Sequence, residues 1–158
     1  MGNQLFGPVT SHTIIYQLMR ITEHNMLLVV AGVIIRNGKV LLSKRPEGKH
    51  LSNLWEFPGG KIKKNETPEE ALERELREEL DICINKENLK PITFTSHSYK
   101  EFHLLMPLYL CKEWNGEVRP MEGQEIKWIE PEVITKYPMP PADKPLIKNL
   151  LKWLENQC

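Results

Sequence analysis

The chain has 158 residues, and its 21 Lys and Arg balance 21 Asp and Glu, leaving no formal net charge. That length suits one domain with a real hydrophobic core and is short for two. The charge balance excludes a protein that coats nucleic acid, whose non-specific affinity comes from neutralising many phosphates, so no nucleic-acid polymer is expected as partner.

Residues 1–25 read as an N-terminal extension of unknown role, ahead of a single domain over residues 26–158. The extension lacks the basic start, apolar stretch and small-residue cleavage site of a secretory signal. Residues 26–35 form the longest apolar run, about half of the ~20 residues a membrane span needs, and therefore predict a strand and no membrane anchor. Asn37-Gly38 separates this run from a second one at residues 40–44, which is the strongest short hairpin signal. A third short strand is expected over residues 55–57, ended by Pro58-Gly59-Gly60.

A helix then begins with Thr67 as N-cap, Pro68 at its first position and Glu70 closing a capping box. Leu72, Leu76 and Leu80 make its buried stripe. Glu70 precedes Arg74 by four and Glu73 precedes Arg77 by four, the favourable acid-to-base order. Glu75, Glu78 and Glu79 share a face with no basic residue among them, and like charges at these spacings cost roughly 0.2–0.5 kcal/mol per pair. A Glu-rich solvent face explains the paired positions but not this triplet. A hard divalent cation held by oxygen ligands explains both, and Mg²⁺ commonly shares one or two carboxylates with a substrate's phosphates.

Further strands are expected over residues 92–96, 103–111 and 125–130, with Trp114-Asn115-Gly116 as a turn. Residues 142–155 place Leu146, Leu150, Leu151 and Leu154 near helical spacing and predict an amphipathic helix. Helices interspersed irregularly with hairpin-linked strands indicate an α+β fold with a mixed sheet. Cys83, Cys111 and Cys158 form neither a disulfide framework nor a CxxC pattern, which points to a reducing, cytoplasmic setting.

The spacing from Gly60 through Glu66, Arg74-Glu75-Leu76 and Glu78-Glu79 to Ile82 resembles the Nudix box. Every fixed position matches except one, where Asp81 replaces a Gly at the helix exit; Asp is among the few other residues that tolerate a left-handed conformation there. WEFPGGKI, ETPEEAL, WNGEVRPMEGQE and PPADKPLIKNLLKWL extend the resemblance to the MutT branch of that family.

This resemblance implies an α/β/α sandwich and an enzyme that hydrolyses a nucleoside triphosphate to its monophosphate and pyrophosphate, characteristically 8-oxo-dGTP, and so sanitises the nucleotide pool; a monomer is expected, although the sequence does not fix the oligomeric state. It implies Mg²⁺, with Mn²⁺ as the alternative, held by the Gly59 carbonyl, Glu75, Glu78, Glu79 and Glu122. Arg74 would orient Glu75, and Glu75 would position or deprotonate water. A cation lowers the pKa of water so that it can attack phosphorus, and neutralises charge on the phosphates. Arg45 is a candidate for sugar or phosphate contact and Phe57 for stacking on the base. Tyr99 and Phe102 could line the pocket.

Asp143 stands where the best-known member of the branch has Asn. Ionised Asp only accepts hydrogen bonds, so it suits a cytosine amino group, unless protonation lets it serve 8-oxoguanine; its plainer role is N-cap of the last helix. The alternatives are therefore a CTP or 5-methyl-dCTP pyrophosphohydrolase and, in another class, a nucleotide-binding module without catalysis.

Overall fold

In the computed structural model, which describes residues 25–48 and 51–156, Asn37 and Gly38 both take positive φ, 51° and 76°. This is the backbone that a two-residue hairpin turn requires. The turn joins β1 (Met26–Arg36) to β2 (Lys39–Lys44), with Ile35 opposite Val40 and Arg36 opposite Lys39. The remaining strands are β3 (Trp55–Glu56), β4 (Gly59–Lys61), β5 (Lys90–Ser98), β6 (His103–Cys111) and β7 (Glu125–Ile129). They lie in the order β3-β2-β1-β6-β5, with β4 added to β1 and β7 to β2. β1 and β6 run parallel, from Met26 opposite His103 to Ile34 opposite Cys111, whereas the other described pairs are antiparallel, so the sheet is mixed.

β1 is covered on both faces, which is why its sequence is a continuous apolar run and not an alternation. Val30 and Ile34 pack with Leu72, Leu76 and Leu80 of helix α1 (Pro68–Leu80), while Ala31 and Val33 pack with Leu146 and Leu150 of helix α2 (Lys144–Glu155). The three α1 leucines are fully buried, each worth ~1.5–3 kcal/mol relative to exposure. The result is the α/β/α sandwich expected from the sequence. Among the described residues no helix is long and apolar enough to cross a membrane.

Helix α1 begins as predicted. The Thr67 hydroxyl accepts from the Glu70 N–H and the Glu70 carboxylate accepts from the Thr67 N–H, closing the capping box. It ends at Asp81, whose φ of 58° and ψ of 31° supply the left-handed exit in place of Gly.

The structure corrects several expectations. Gly59-Gly60 does more than end the third strand: both glycines belong to a further strand, β4, with Gly60 opposite Val30 and Gly59 opposite Ala31. Residues 114–116 are not a hairpin turn: Asn115 and Cys83 exchange backbone hydrogen bonds at 2.8 and 2.9 Å, which clasps the exit of α1. Glu70 does not pair with Arg74. It bonds Lys86 Nζ at 2.8 Å, because Arg74 turns toward Glu66, whereas the Glu73–Arg77 pair is present at 3.5 Å. β1, β2, β3, β5, β7 and α2 differ from the predicted bounds by up to two residues at either end. Of the expected extension only Asn25 is among the described residues; Cys158 also lies outside them, and Cys83 and Cys111 are free thiols.

Candidate active site

Strand β4 and helix α1 bring the box residues together. Gly59 has φ of 151°, and a Cβ there would strike the Val30 carbonyl oxygen; a Cβ on Gly60 would strike the Glu75 carboxyl group. Both glycines are thus dictated by close approach, the first by the neighbouring strand and the second by an acidic side chain from α1.

The three helix carboxylates do not lie equivalently, as the shared-face reading suggested. Glu79 turns inward, where the Gly59 N–H donates to its Oε2 at 3.2 Å. Burial, reinforced by the negative charges of Glu75, Glu122 and Glu56, pushes its pKa up to about 8 against the opposing Gly59 hydrogen bond. Glu75 accepts from Arg74 Nη1 at 2.5 Å, and Glu78, its side chain half exposed, lies 3.4 Å from the same nitrogen. The triplet therefore does have a basic partner, Arg74. That guanidinium is anchored from the other side by Glu66 at 2.6 and 2.9 Å and by the Lys61 carbonyl at 3.0 Å. The Arg74 hydrogen bonds, with the Lys63 N–H, hold the Glu66 carboxyl down at about 2.

Glu122 reaches the same cleft from the loop before β7. Gln124, which the sequence reading passed over, fixes that loop: its Nε2 donates to the Glu79 carbonyl and its Oε1 accepts from the Glu122 N–H, both at 2.7 Å. Met121 N–H donates to the same carbonyl at 2.9 Å. The signal was available in the Glu-Gly-Gln segment, but only burial separates Gln124 from an ordinary loop residue. The cleft, about 450 Å³, is walled by Glu75, Glu78, Glu79 and Glu122 and flanked by Lys44, Lys61 and Lys63.

A second cavity, about 360 Å³, adjoins it and is mainly apolar, lined among others by Leu27, Phe57, Tyr99, Phe102 and Met106. Phe57 belongs to the core and is only 4% exposed, yet its ring is part of this wall. Asp143 closes the cavity. It occupies the N-cap position of α2, but its side chain makes no capping hydrogen bond. The carboxyl points instead into the interior and accepts from the Phe57 N–H; burial and the Glu56 charge push its pKa up to about 7, with Arg45 opposing. Arg45 Nε bonds both oxygens of Glu56, at 2.9 and 2.8 Å, on the boundary between the two cavities.

Among the described residues no three acidic or thiol and imidazole groups converge into a closed cation cage. The donor set nonetheless fits a hard divalent ion. Mg²⁺ keeps several waters and takes one or two carboxylates plus substrate phosphates, and the crowding that raises Glu79 is what a bound cation relieves.

A family model described as "NUDIX domain" matches residues 30–149. The chain belongs to the Nudix family. It is 40% identical to an 8-oxo-dGTP diphosphatase of Haemophilus influenzae, over 82% of this chain and 96% of that protein. It is also 38% identical to a CTP pyrophosphohydrolase of Escherichia coli K12, over 78% of this chain and 90% of that one. Among solved structures, the Nudix domain resembles the E. coli ORF135 protein with a TM-score of 0.73 at 33% identity, covering 82% of this chain and 91% of that one. It also resembles a MutT from a study of the Aliivibrio salmonicida and Vibrio cholerae proteins, with a TM-score of 0.70 at 27% identity, over 82% and 99% of the two chains.

Proposed function

We propose that this Nudix enzyme is an Mg²⁺-dependent pyrophosphohydrolase that converts 8-oxo-dGTP to 8-oxo-dGMP and pyrophosphate, removing an oxidised precursor before it enters DNA. The observation that carries the reading is the junction of an apolar, base-sized cavity closed by Asp143 with a carboxylate-walled cleft flanked by lysines. The similarity to 8-oxo-dGTP diphosphatases over most of the chain supports it.

In this reading Glu75, Glu78, Glu79, Glu122 and the Gly59 carbonyl hold the divalent ion, Mg²⁺ or alternatively Mn²⁺. Such an ion supplies positive charge against the polyphosphate and activates water. The residues of the chain do the rest. Arg74, tied to Glu66, positions Glu75 as the proton acceptor. Lys44, Lys61 and Lys63 attract the phosphates into the cleft, and Phe57, Tyr99 and Phe102 wall the base. A neutral Asp143 offers one donor and an acceptor, which matches O6 and N7–H of 8-oxoguanine.

A second reading has one specific observation behind it. Ionised Asp143 accepts only and suits the amino group of cytosine, and a CTP pyrophosphohydrolase is among the relatives. Pyrophosphate release should be measured for 8-oxo-dGTP, dGTP, dCTP, CTP and 5-methyl-dCTP. The expected result is the highest kcat/KM for 8-oxo-dGTP, with no release in EDTA. Equal turnover of dGTP and 8-oxo-dGTP at low concentration refutes the purine reading; a cytosine nucleotide in first place establishes the second. Release unaffected by EDTA, or by Glu79→Gln, refutes the metal assignment.

A further inference from the structure

The last carbonyls of helix α1 have no partner inside the helix, and the loop before β7 supplies donors to them. Arg119 N–H donates to the Leu80 carbonyl and Met121 N–H to the Glu79 carbonyl, each at 2.9 Å. Earlier in the same loop, Asn115 is bonded to Cys83, and a Cβ on Gly116 would strike the Asp81 carbonyl oxygen. The loop is therefore pressed against the exit of α1 as far as residue 121. Beyond it the chain turns at Gly123, whose φ is 71°, and Glu122 and Gly123 are both exposed. An acid at such a turn has many orientations open to it unless its own backbone is held.

Gln124 holds it. The residue is only 8% exposed, and its amide turns one end to the backbone of each acid: Nε2 donates to the Glu79 carbonyl and Oε1 accepts from the Glu122 N–H, both at 2.7 Å. One planar group thus locks the peptide of Glu122 to that of Glu79, although 45 residues separate Gln124 from Glu79. Glu79, Glu122 and Gln124 border the acidic cleft, and none of the three lines the apolar cavity. The clamp therefore bears on the carboxylates and leaves the base side of the site alone.

We infer that Gln124 is a positioning residue for the hydrolysis: by clamping the Glu122 N–H to the Glu79 carbonyl, it sets the Glu122 carboxylate at a fixed place beside the carboxylates of α1, and it acts on turnover only through Glu122. This inference rests on the proposed role of Glu122 at the divalent ion, but not on which base is preferred.

The test is a cycle of wild type, Gln124→Met, Glu122→Gln and the double variant, assayed for pyrophosphate release from 8-oxo-dGTP and CTP. Met resembles Gln in size but has no donor and only a weak acceptor, and the Glu79 carbonyl keeps its Met121 donor, so the fold should persist; thermal melts verify this, and Gln124→Ala replaces any variant that misfolds. Gln124→Met should lower kcat about tenfold and change KM less, within the range that small misplacements cost. In the Glu122→Gln background the same change should have no further effect. Mn²⁺ affinity without nucleotide, read by paramagnetic resonance, should follow the same pattern, weakened by either change and no further by both. In the metal-free protein, hydrogen exchange at the Glu122 amide should quicken about tenfold in Gln124→Met, while the Met121 amide stays slow. Losses that multiply across the cycle, or a Glu122 amide that exchanges as in wild type, overturn the inference while the hydrolase reading stands. If Glu122→Gln alone leaves kcat and Mn²⁺ affinity unchanged, the role of Glu122 falls and the inference with it. Should no triphosphate release pyrophosphate, the proposed activity falls, and the Mn²⁺ cycle with the exchange contrast still decides the clamp.

Discussion

Asp143→Asn separates the electrostatics of the base cavity from its chemistry, because Asn keeps the shape and can still accept from the Phe57 N–H. The carboxyl is 5% exposed, and its pKa rises from 3.8 in the unfolded chain to about 7 in the folded one. Between these values the folded protein holds a proton that the unfolded chain has released, so stability falls as pH rises through this window. Below the unfolded value the group has no effect, and above the folded value the loss is complete. At ~1.4 kcal/mol for each pH unit separating the two pKa values, the full loss is about 4 kcal/mol.

Asn does not ionise and escapes that loss. The variant should therefore match wild type near pH 4 and become progressively more stable than it up to about pH 7, after which the gap stays constant. Glu79 carries a slope of the same sign, but it is present in both proteins and cancels in the difference. Urea unfolding from pH 4 to pH 8 in EDTA reads the gap directly. Parallel curves for wild type and variant across that range would refute the claim that Asp143 is buried at an energetic cost.

Three further outcomes follow from the same geometry. Gly60→Ala should fold normally but lose activity at least tenfold, because its Cβ displaces only the flexible end of Glu75, whereas Gly59→Ala meets the Val30 backbone at a positive φ and should lower the melting temperature as well; melts and kcat together distinguish them. Arg74→Ala should reduce kcat more than KM, since it releases Glu75 and Glu66 together without touching the base cavity; an unchanged kcat would remove Arg74 from its positioning role. Metal-free Glu79→Gln should be more stable than wild type at pH 9 and inactive with Mg²⁺, because Glu79 is ionised there at the cost of burial; a variant less stable than wild type at that pH would contradict the burial of its charge.

Local rules made α1 legible residue by residue. Thr67, Pro68 and Glu70 fix its start, Leu72, Leu76 and Leu80 its buried side and Asp81 its end, because capping and helical periodicity act within a few residues. The Asn37-Gly38 turn was equally plain. The spacing of Glu66, Arg74, Glu75, Glu78 and Glu79 also pointed to cation and polyphosphate chemistry, and to the family, before any fold was known.

Partners distant in sequence were another matter. Arg74 has Glu70, Glu75 and Glu78 within reach along the helix, and only the path of the chain through Lys61 and Glu66 determines that Glu66 anchors it as well while Glu70 goes to Lys86. Asp143 could cap α2 or face inward, and the packing of α2 against β5 and the 3₁₀ turn at Pro131–Lys136 decides for the interior. Gly60 resembles any turn glycine until α1 lays Glu75 across it. Glu56 and Gln124 look like surface residues in the sequence, and acquire meaning where separate strands and loops converge. Burial and through-space charge depend on what the whole chain brings near, so a linear reading can name the chemistry of the groups but not which of them meet.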